Sequence, residues 1–187
     1  MLPSLNLNVE SDEKGDCVYY NRFSKKFKRE DIVIIDVTKN SKFIHNNSYG
    51  DYIIKRVIGV EGDSVNIEYD NTEKVYKVIV YNEKTPNGEI LYTRPYKNNG
   101  YLTYMQFKSY IQNEDNADKV SAKGVKVCAG EVFVLGDNWE ISKDSSAVGC
   151  FKVKNVVGRV DIIVSKGENP FIEIIKHIFC RWFWKFK

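Results

Sequence analysis

Asp51-Tyr52-Ile53-Ile54-Lys55-Arg56-Val57-Ile58-Gly59-Val60-Glu61-Gly62-Asp63-Ser64-Val65 sets a lysine inside an apolar run, and how that run is read decides the fold. Tyr52, Ile53, Ile54, Val57, Ile58 and Val60 are aromatic or β-branched, so the stretch reads as a buried strand that stops at the turn Glu61-Gly62-Asp63. Neighbouring side chains on a strand face opposite ways. Lys55 and Val57 therefore share one face while Ile54, Arg56 and Ile58 share the other, and only one of the two cations need point inward. An inward Lys55 loses water, which lowers an ammonium pKa from about 10.4 toward neutrality and makes a general base. An outward one is an ordinary lysine whose head reaches water at the sheet edge. The stretch by itself leaves both readings open.

Outward from this strand the pattern stays β-rich. Asp31 to Val37 is a β-branched run and reads as a core strand, separated from the lysine strand by the polar stretch Thr38 to Gly50. Cys17 to Tyr20 resembles a short strand. Between these, Phe23 to Arg29 gathers four basic residues around two phenylalanines, a composition that suits either anionic headgroups or a solvated turn with two aromatic anchors. On the other side, Val65/Ile67/Tyr69, Val75 to Tyr81 and Ile90 to Thr93 alternate, broken by Asp70-Asn71 and Thr85-Pro86-Asn87-Gly88, and read as hairpins of a meander. Tyr104, Phe107 and Ile111 predict one short helix over Leu102 to Ile111, and Asn113 to Lys123 reads as a charged loop. Short strands follow at Val125 to Cys128 and Glu131 to Leu135, and a longer one at Val156 to Val164. Asn169-Pro170 opens a last segment, Phe171 to Lys187, that predicts an aromatic, basic, amphipathic helix. Such a helix suits a membrane interface or simple packing on the sheet.

Composition narrows the function classes. A chain of 187 residues that is 43% hydrophobic can bury one good core and a smaller second lobe. The balance of 28 Lys+Arg against 25 Asp+Glu is too mild to make nucleic acid the partner. Cys17, Cys128, Cys150 and Cys180 lie far apart, accompanied only by His45 and His177, so the spacing argues against structural zinc and favours buried thiols over disulfides. No apolar run of about 18 residues long enough to span a bilayer is read, and no secretory leader is expected from the sequence as it stands.

Gly136 to Gly149, Gly-Asp-Asn-Trp-Glu-Ile-Ser-Lys-Asp-Ser-Ser-Ala-Val-Gly, is a polar stretch between core strands. Hydroxyls, an amide and acids set so close together suit a hydrogen-bonded loop that positions something, or a surface loop of local turns. Joined to the lysine strand, this stretch resembles the type I signal peptidases, membrane-anchored serine proteases that use a serine nucleophile and a lysine base. Met1-Leu2-Pro3-Ser4-Leu5 resembles the family's serine-methionine-x-proline-threonine-leucine segment without the serine. Glu30-Asp31-Ile32-Val33 resembles its glycine-aspartate-x-valine strand, with Glu30 for the glycine. Lys55-Arg56-Val57-Ile58-Gly59 and Gly62-Asp63 resemble its lysine segment, with Glu61 for the usual proline. Gly136-Asp137-Asn138, Ser142, Asp144-Ser145 and Gly149 resemble its last segment.

The resemblance implies a mostly antiparallel, all-β, coiled and barrel-like fold with a short helix and the C-terminal amphipathic helix. Residues 1–66 and 127–187 would form the core domain and 67–126 an inserted, non-catalytic lobe. It implies Lys55 as general base and Ser142 as the hydroxyl that orients it, supported by Gly136, Asp137, Asn138, Asp144 and Ser145. Substrate pockets fall around Met1, Pro3, Leu5, Ile53 and Ile54, which would take small side chains of an extended peptide. No metal or cofactor is needed. The partners implied are preprotein signal peptides, pilins among them in some Gram-positive relatives, and the membrane surface, with the catalytic domain on the extracytoplasmic side. The nucleophile is expected directly before Met1, so hydrolysis is not expected of the sequence as it stands.

Trp139, Ile141, Ser146 and Val148 replace the family's usual arginine, asparagine, arginine and aromatic. Ser146 cannot give Asp144 the usual cation, a gap for which Arg56 and Arg159 are the candidates. Three rivals stay open: a non-catalytic relative that assists pilin processing or pilus assembly, a self-cleaving repressor-type protease, and a membrane-surface module built on the tail.

Overall fold

The structure, a computed structural model, describes residues 17–38, 40, 43, 51–95, 100–164 and 172. Met1, Pro3 and Leu5, both histidines, Cys180 and the expected helix from Phe171 to Lys187, apart from residue 172, lie outside the described residues.

The lysine strand forms as read, as β3 (Tyr52–Gly59), within a sheet that also holds β1 (Cys17–Asn21), β2 (Ile32–Asp36), β9 (Glu131–Leu135), β10 (Phe151–Lys152) and β11 (Val156–Val164). Their order is β1-β11-β2-β3-β9-β10. A second sheet, ordered β6-β5-β4-β8-β7, is built from β4 (Ser64–Asp70), β5 (Val75–Tyr81), β6 (Glu89–Pro95), β7 (Val120–Ser121) and β8 (Gly124–Lys126). Every strand pair is antiparallel. The fold is therefore all-β with few short helices, and the barrel-like expectation is corrected in one respect: neither sheet closes on itself among the described residues.

Strand alternation explains why β3 and β9 are apolar on both sides. Ile53, Val57, Val132 and Val134 join Val33, Ile35, Phe151 and Val156 in one core, whereas Ile58, Phe133 and Leu135 join Val65, Ile67, Val78 and Val80 of the second sheet in another. α1 (Gly100–Gln112) closes that second core with Phe107 and Tyr110. Phe107 and Tyr110 follow Thr103 at intervals of four and three, so one stripe of the helix faces inward. The stretch after α1 is more regular than a loop, since Glu114–Lys119 forms a 3-10 turn capped by the Asn113 side chain.

The basic turn after β1 has one aromatic anchor instead of two. Phe27 packs against the first core, whereas Phe23 is 88% exposed. Arg29 is drawn off to Asp63, which takes its Nε and Nη2 hydrogens at 3.0 and 2.6 Å and also accepts Val60 N–H and the Asn82 side chain. Glu30, at the family's glycine position, has φ +74°.

Candidate active site

Lys55 leaves β3 on the face of Ile53 and Val57, over the first core, and turns its amine inward. Its Nζ donates to Ser142 Oγ at 3.0 Å. Burial holds its pKa below the ordinary lysine value of 10.5, against the opposing pull of the Asp144 and Asp137 charges. A lowered pKa makes the neutral amine, the form a base requires, easier to reach.

Gly136, directly after β9, makes this approach possible. A Cβ there would stand 2.2 Å from Ser142 Oγ and 3.1 Å from Lys55 Nζ. The loop then folds back so that Asp144 caps the one-turn helix α2 (Ser145–Val148). Fully buried, the Asp144 carboxylate accepts Gly136 N–H and the Ser142 hydroxyl on Oδ2, and Ser146 N–H and the Ser146 hydroxyl on Oδ1. A carboxylate offers about four acceptor positions, so neutral donors alone saturate it. Ser145 Oγ accepts Val134 N–H at 2.9 Å and ties the loop to β9.

Neither arginine takes the place that Ser146 leaves. Arg56 sits on the opposite face of β3 from Lys55 and grips Asp137 through Nε and Nη2 at 2.9 and 2.7 Å, with Glu30 3.8 Å away. Arg159 pairs with Asp161, two residues along the same strand face. Of the expected supporting residues, Gly136, Asp144 and Ser145 gather with Lys55 and Ser142. Asp137 reaches the site only through its charge, and Asn138 is exposed and caps the Glu140 N–H. Ile53 and Ile54 lie on opposite faces, Ile53 in the core and Ile54 half-buried. Gln106, 3.1 Å from Ser146 Oγ, was missed. Its only trace in the sequence is its place on the α1 stripe beside Thr103 and Tyr110.

The backbone of β3 presents an open side next to Lys55. Val57 exchanges hydrogen bonds with Glu30 N–H and Asp31 C=O, and Asp51 C=O accepts Val37 N–H, so odd-numbered residues of this strand turn their amides toward β2. By alternation Tyr52 and Ile54 turn theirs the other way. β9 reaches only as far as Leu135, opposite Arg56. No described strand pairs with that edge before it.

The family model for signal peptidase, peptidase S26, matches residues 6–165. The chain belongs to this signal peptidase family. Among its relatives, signal peptidase IB of Staphylococcus aureus is 36% identical over 121 residues, 65% of this chain and 56% of that protein. Signal peptidase I of Bacillus caldolyticus is 30% identical over 167 residues, 86% of this chain and 72% of the relative. The chain thus spans little more than half the length of the Staphylococcus aureus signal peptidase. A crystal structure of a signal peptidase I from Enterococcus faecalis is 23% identical with a TM-score of 0.39, covering 72% of this chain and 96% of that one. Signal peptidases act on preprotein signal peptides and are membrane-associated. No helix among the described residues of this signal peptidase chain is long and apolar enough to cross a membrane.

Proposed function

We propose that this chain is the extracytoplasmic domain of a type I signal peptidase that cleaves signal peptides from exported preproteins with a serine-lysine dyad. The observation that carries the reading is the relay Lys55 Nζ, Ser142 Oγ, Asp144 Oδ2, in which Lys55 is half-buried and Ser142 and Asp144 are buried. Ser142 accepts from the amine and gives its own proton to Asp144, so the Lys55 lone pair stays free for a serine set directly before Met1 in the intact protein. Lys55 takes the proton of that serine as its oxygen adds to the peptide carbonyl. The oxyanion intermediate collapses, the Lys55 ammonium protonates the departing amine, and an acyl-enzyme remains. Lys55 then deprotonates the water that hydrolyses it. No step calls on a metal or cofactor.

The peptide adds as a strand along Tyr52 and Ile54, whose amides face the open side of β3. Met1, Pro3, Leu5, Ile53 and Ile54 are the proposed pocket residues. The proposed division keeps residues 1–66 and 127–187 as the core and 67–126 as the inserted lobe. The domain lies against the membrane, and the turn bearing Phe23 is one proposed contact. Arg22, Lys25, Lys26 and Lys28 lie near Phe23 in sequence, are exposed, and make no ion pair among the described residues.

The test uses the intact protein with the residues ahead of Met1 and a signal-peptide substrate ending in Ala-x-Ala, beside Lys55→Ala. Cleavage that is lost in the variant by about a thousandfold or more supports the dyad. A residue other than serine before Met1, or cleavage that survives the loss of Lys55, overturns it and puts the non-catalytic pilin-handling reading in its place.

A further inference from the structure

One stripe of α1 meets the loop that carries Ser142 and Asp144 three times. Thr103 Oγ1 donates to Trp139 C=O at 3.1 Å, near the start of the loop. Gln106 lies 3.1 Å from Ser146 Oγ, at its middle. The Tyr110 hydroxyl lies against Gly149, where an added Cβ would come within 2.2 Å of it, at its end. Spacings of three and four put these side chains on one helix face, and Thr103, Tyr110 and Ser146 are all buried. α1 belongs to the segment that the sequence reading set apart as a non-catalytic lobe.

We infer that Gln106 is a positioning residue for Lys55, acting through Ser146, Asp144 and Ser142. The inference rests on the serine-lysine reading above, and it follows from counting protons. A hydroxyl has one proton to give. Ser146 Oγ lies 2.8 Å from Asp144 Oδ1 and 3.1 Å from Gln106 Oε1, and cannot donate its one proton to both. Its proton goes to the buried carboxylate, because a charged acceptor makes the stronger bond. With that proton given to Asp144, the network selects the Gln106 amide turned over, its nitrogen in the place of Oε1 and an N–H offered to the Ser146 oxygen.

That donation fixes the Ser146 rotor and leaves Asp144 Oδ2 to Gly136 N–H and the Ser142 hydroxyl. With its proton committed to Asp144, Ser142 only accepts from Lys55. A Ser142 free to turn would donate into the amine lone pair and quench the base. An Asp144 short of one donor would also lean harder on the nearest cation, the Lys55 ammonium, and make it harder to deprotonate.

The test is the pH midpoint of Lys55 acylation by acetic anhydride, followed by peptide mass spectrometry on the chain as it stands, so that no peptide cleavage is required. In Gln106→Met the midpoint moves up by about half a pH unit, or roughly threefold less free amine at a fixed pH below it. Ser146→Ala, which removes the donor itself, moves it at least as far, and the double variant adds nothing beyond Ser146→Ala, because the two residues act in series. In the intact protein, kcat falls with KM unchanged and the acid limb of the pH profile moves by the same amount.

An unmoved midpoint in Gln106→Met, or a Gln106 effect that persists in full on the Ser146→Ala background, overturns the inference. Should Gln106→Met fail to fold by circular dichroism, an unmoved midpoint in Ser146→Ala alone overturns it. Cleavage that survives Lys55→Ala defeats the serine-lysine reading itself. Cleavage that needs Lys55, with midpoint and profile unmoved in Gln106→Met, defeats only the role given to α1.

Discussion

Gly136→Ala isolates the close approach at the centre of the site. Its backbone is not left-handed, so the substitution acts only through the space its Cβ would occupy, 2.2 Å from Ser142 Oγ and 2.8 Å from Ser142 Cβ. Ordinary contact begins near 3.5 Å, so Ser142 must retreat by more than about 1 Å. That retreat stretches the 3.0 Å bond from Lys55 beyond hydrogen-bonding range. Overpacking of this kind costs about 1–3 kcal/mol, and a chain of this size loses about 2–4 °C of melting temperature per kcal/mol. A misplacement of about 1 Å at the base costs on the order of a hundredfold in rate. Signal-peptide cleavage by the intact protein and a thermal melt measure the two effects. Gly130→Ala is the control, because a Cβ there meets nothing within 4 Å and only its φ of +71° is strained. That variant melts lower and cleaves normally. A Gly136→Ala protein that cleaves within about threefold of wild type and melts with it would refute the geometry drawn for Gly136, Ser142 and Lys55.

Lys55→Met melts higher than wild type at neutral pH. Burial lowers the folded pKa of Lys55 below the unfolded 10.5, so folding is penalised fully below the folded value and progressively less as pH rises toward 10.5. The gap between variant and wild type therefore narrows with rising pH, and melts at several pH values that show it widening would contradict the burial of the amine. Glu30→Gly relieves a left-handed backbone costing about 1 kcal/mol and raises the melting temperature by about 2–4 °C. A fall would mean that the 3.8 Å contact with Arg56 outweighs the strain. Thiol labelling at pH 8 modifies the exposed Cys17 and Cys128 first. Cys150 reacts slowly, because burial pushes its thiol up to about 12, and equal rates would contradict that burial. Flotation with vesicles containing anionic lipid weakens in Phe23→Ser and in Lys25→Glu with Lys26→Glu. Binding unchanged in both would remove this turn from the membrane contact.

The strands were legible because their residues are β-branched runs bounded by turn signals, and the inward lysine was legible as an option from alternation around Lys55. The same alternation carried a second message that the sequence reading did not use. Arg56, one residue on, had to face away from Asp144, and its partner could only be something across the sheet such as Asp137. Ser146 was recognised as a missing arginine, yet its replacement was invisible, because four neutral donors converge on Asp144 only after the loop has folded. Gln106 was further out of reach. It is distant from the loop in sequence and meets it only through helix packing, which a short apolar spacing could place but not aim. Trp139 looked like a loop residue and instead fills the second core, since the strand before it delivers it there.

The way Asp144 is held has a consequence for the surroundings in which this site can work. An ion pair of the usual kind weakens as salt accumulates, most of all where water reaches it. Amide and hydroxyl dipoles built into α2 and the end of β9 attract no counterions and release none. The orientation of Ser142, and with it the readiness of Lys55, is thereby insulated from ionic strength. On the extracytoplasmic side proposed for this domain, that variable belongs to the environment and not to the cell.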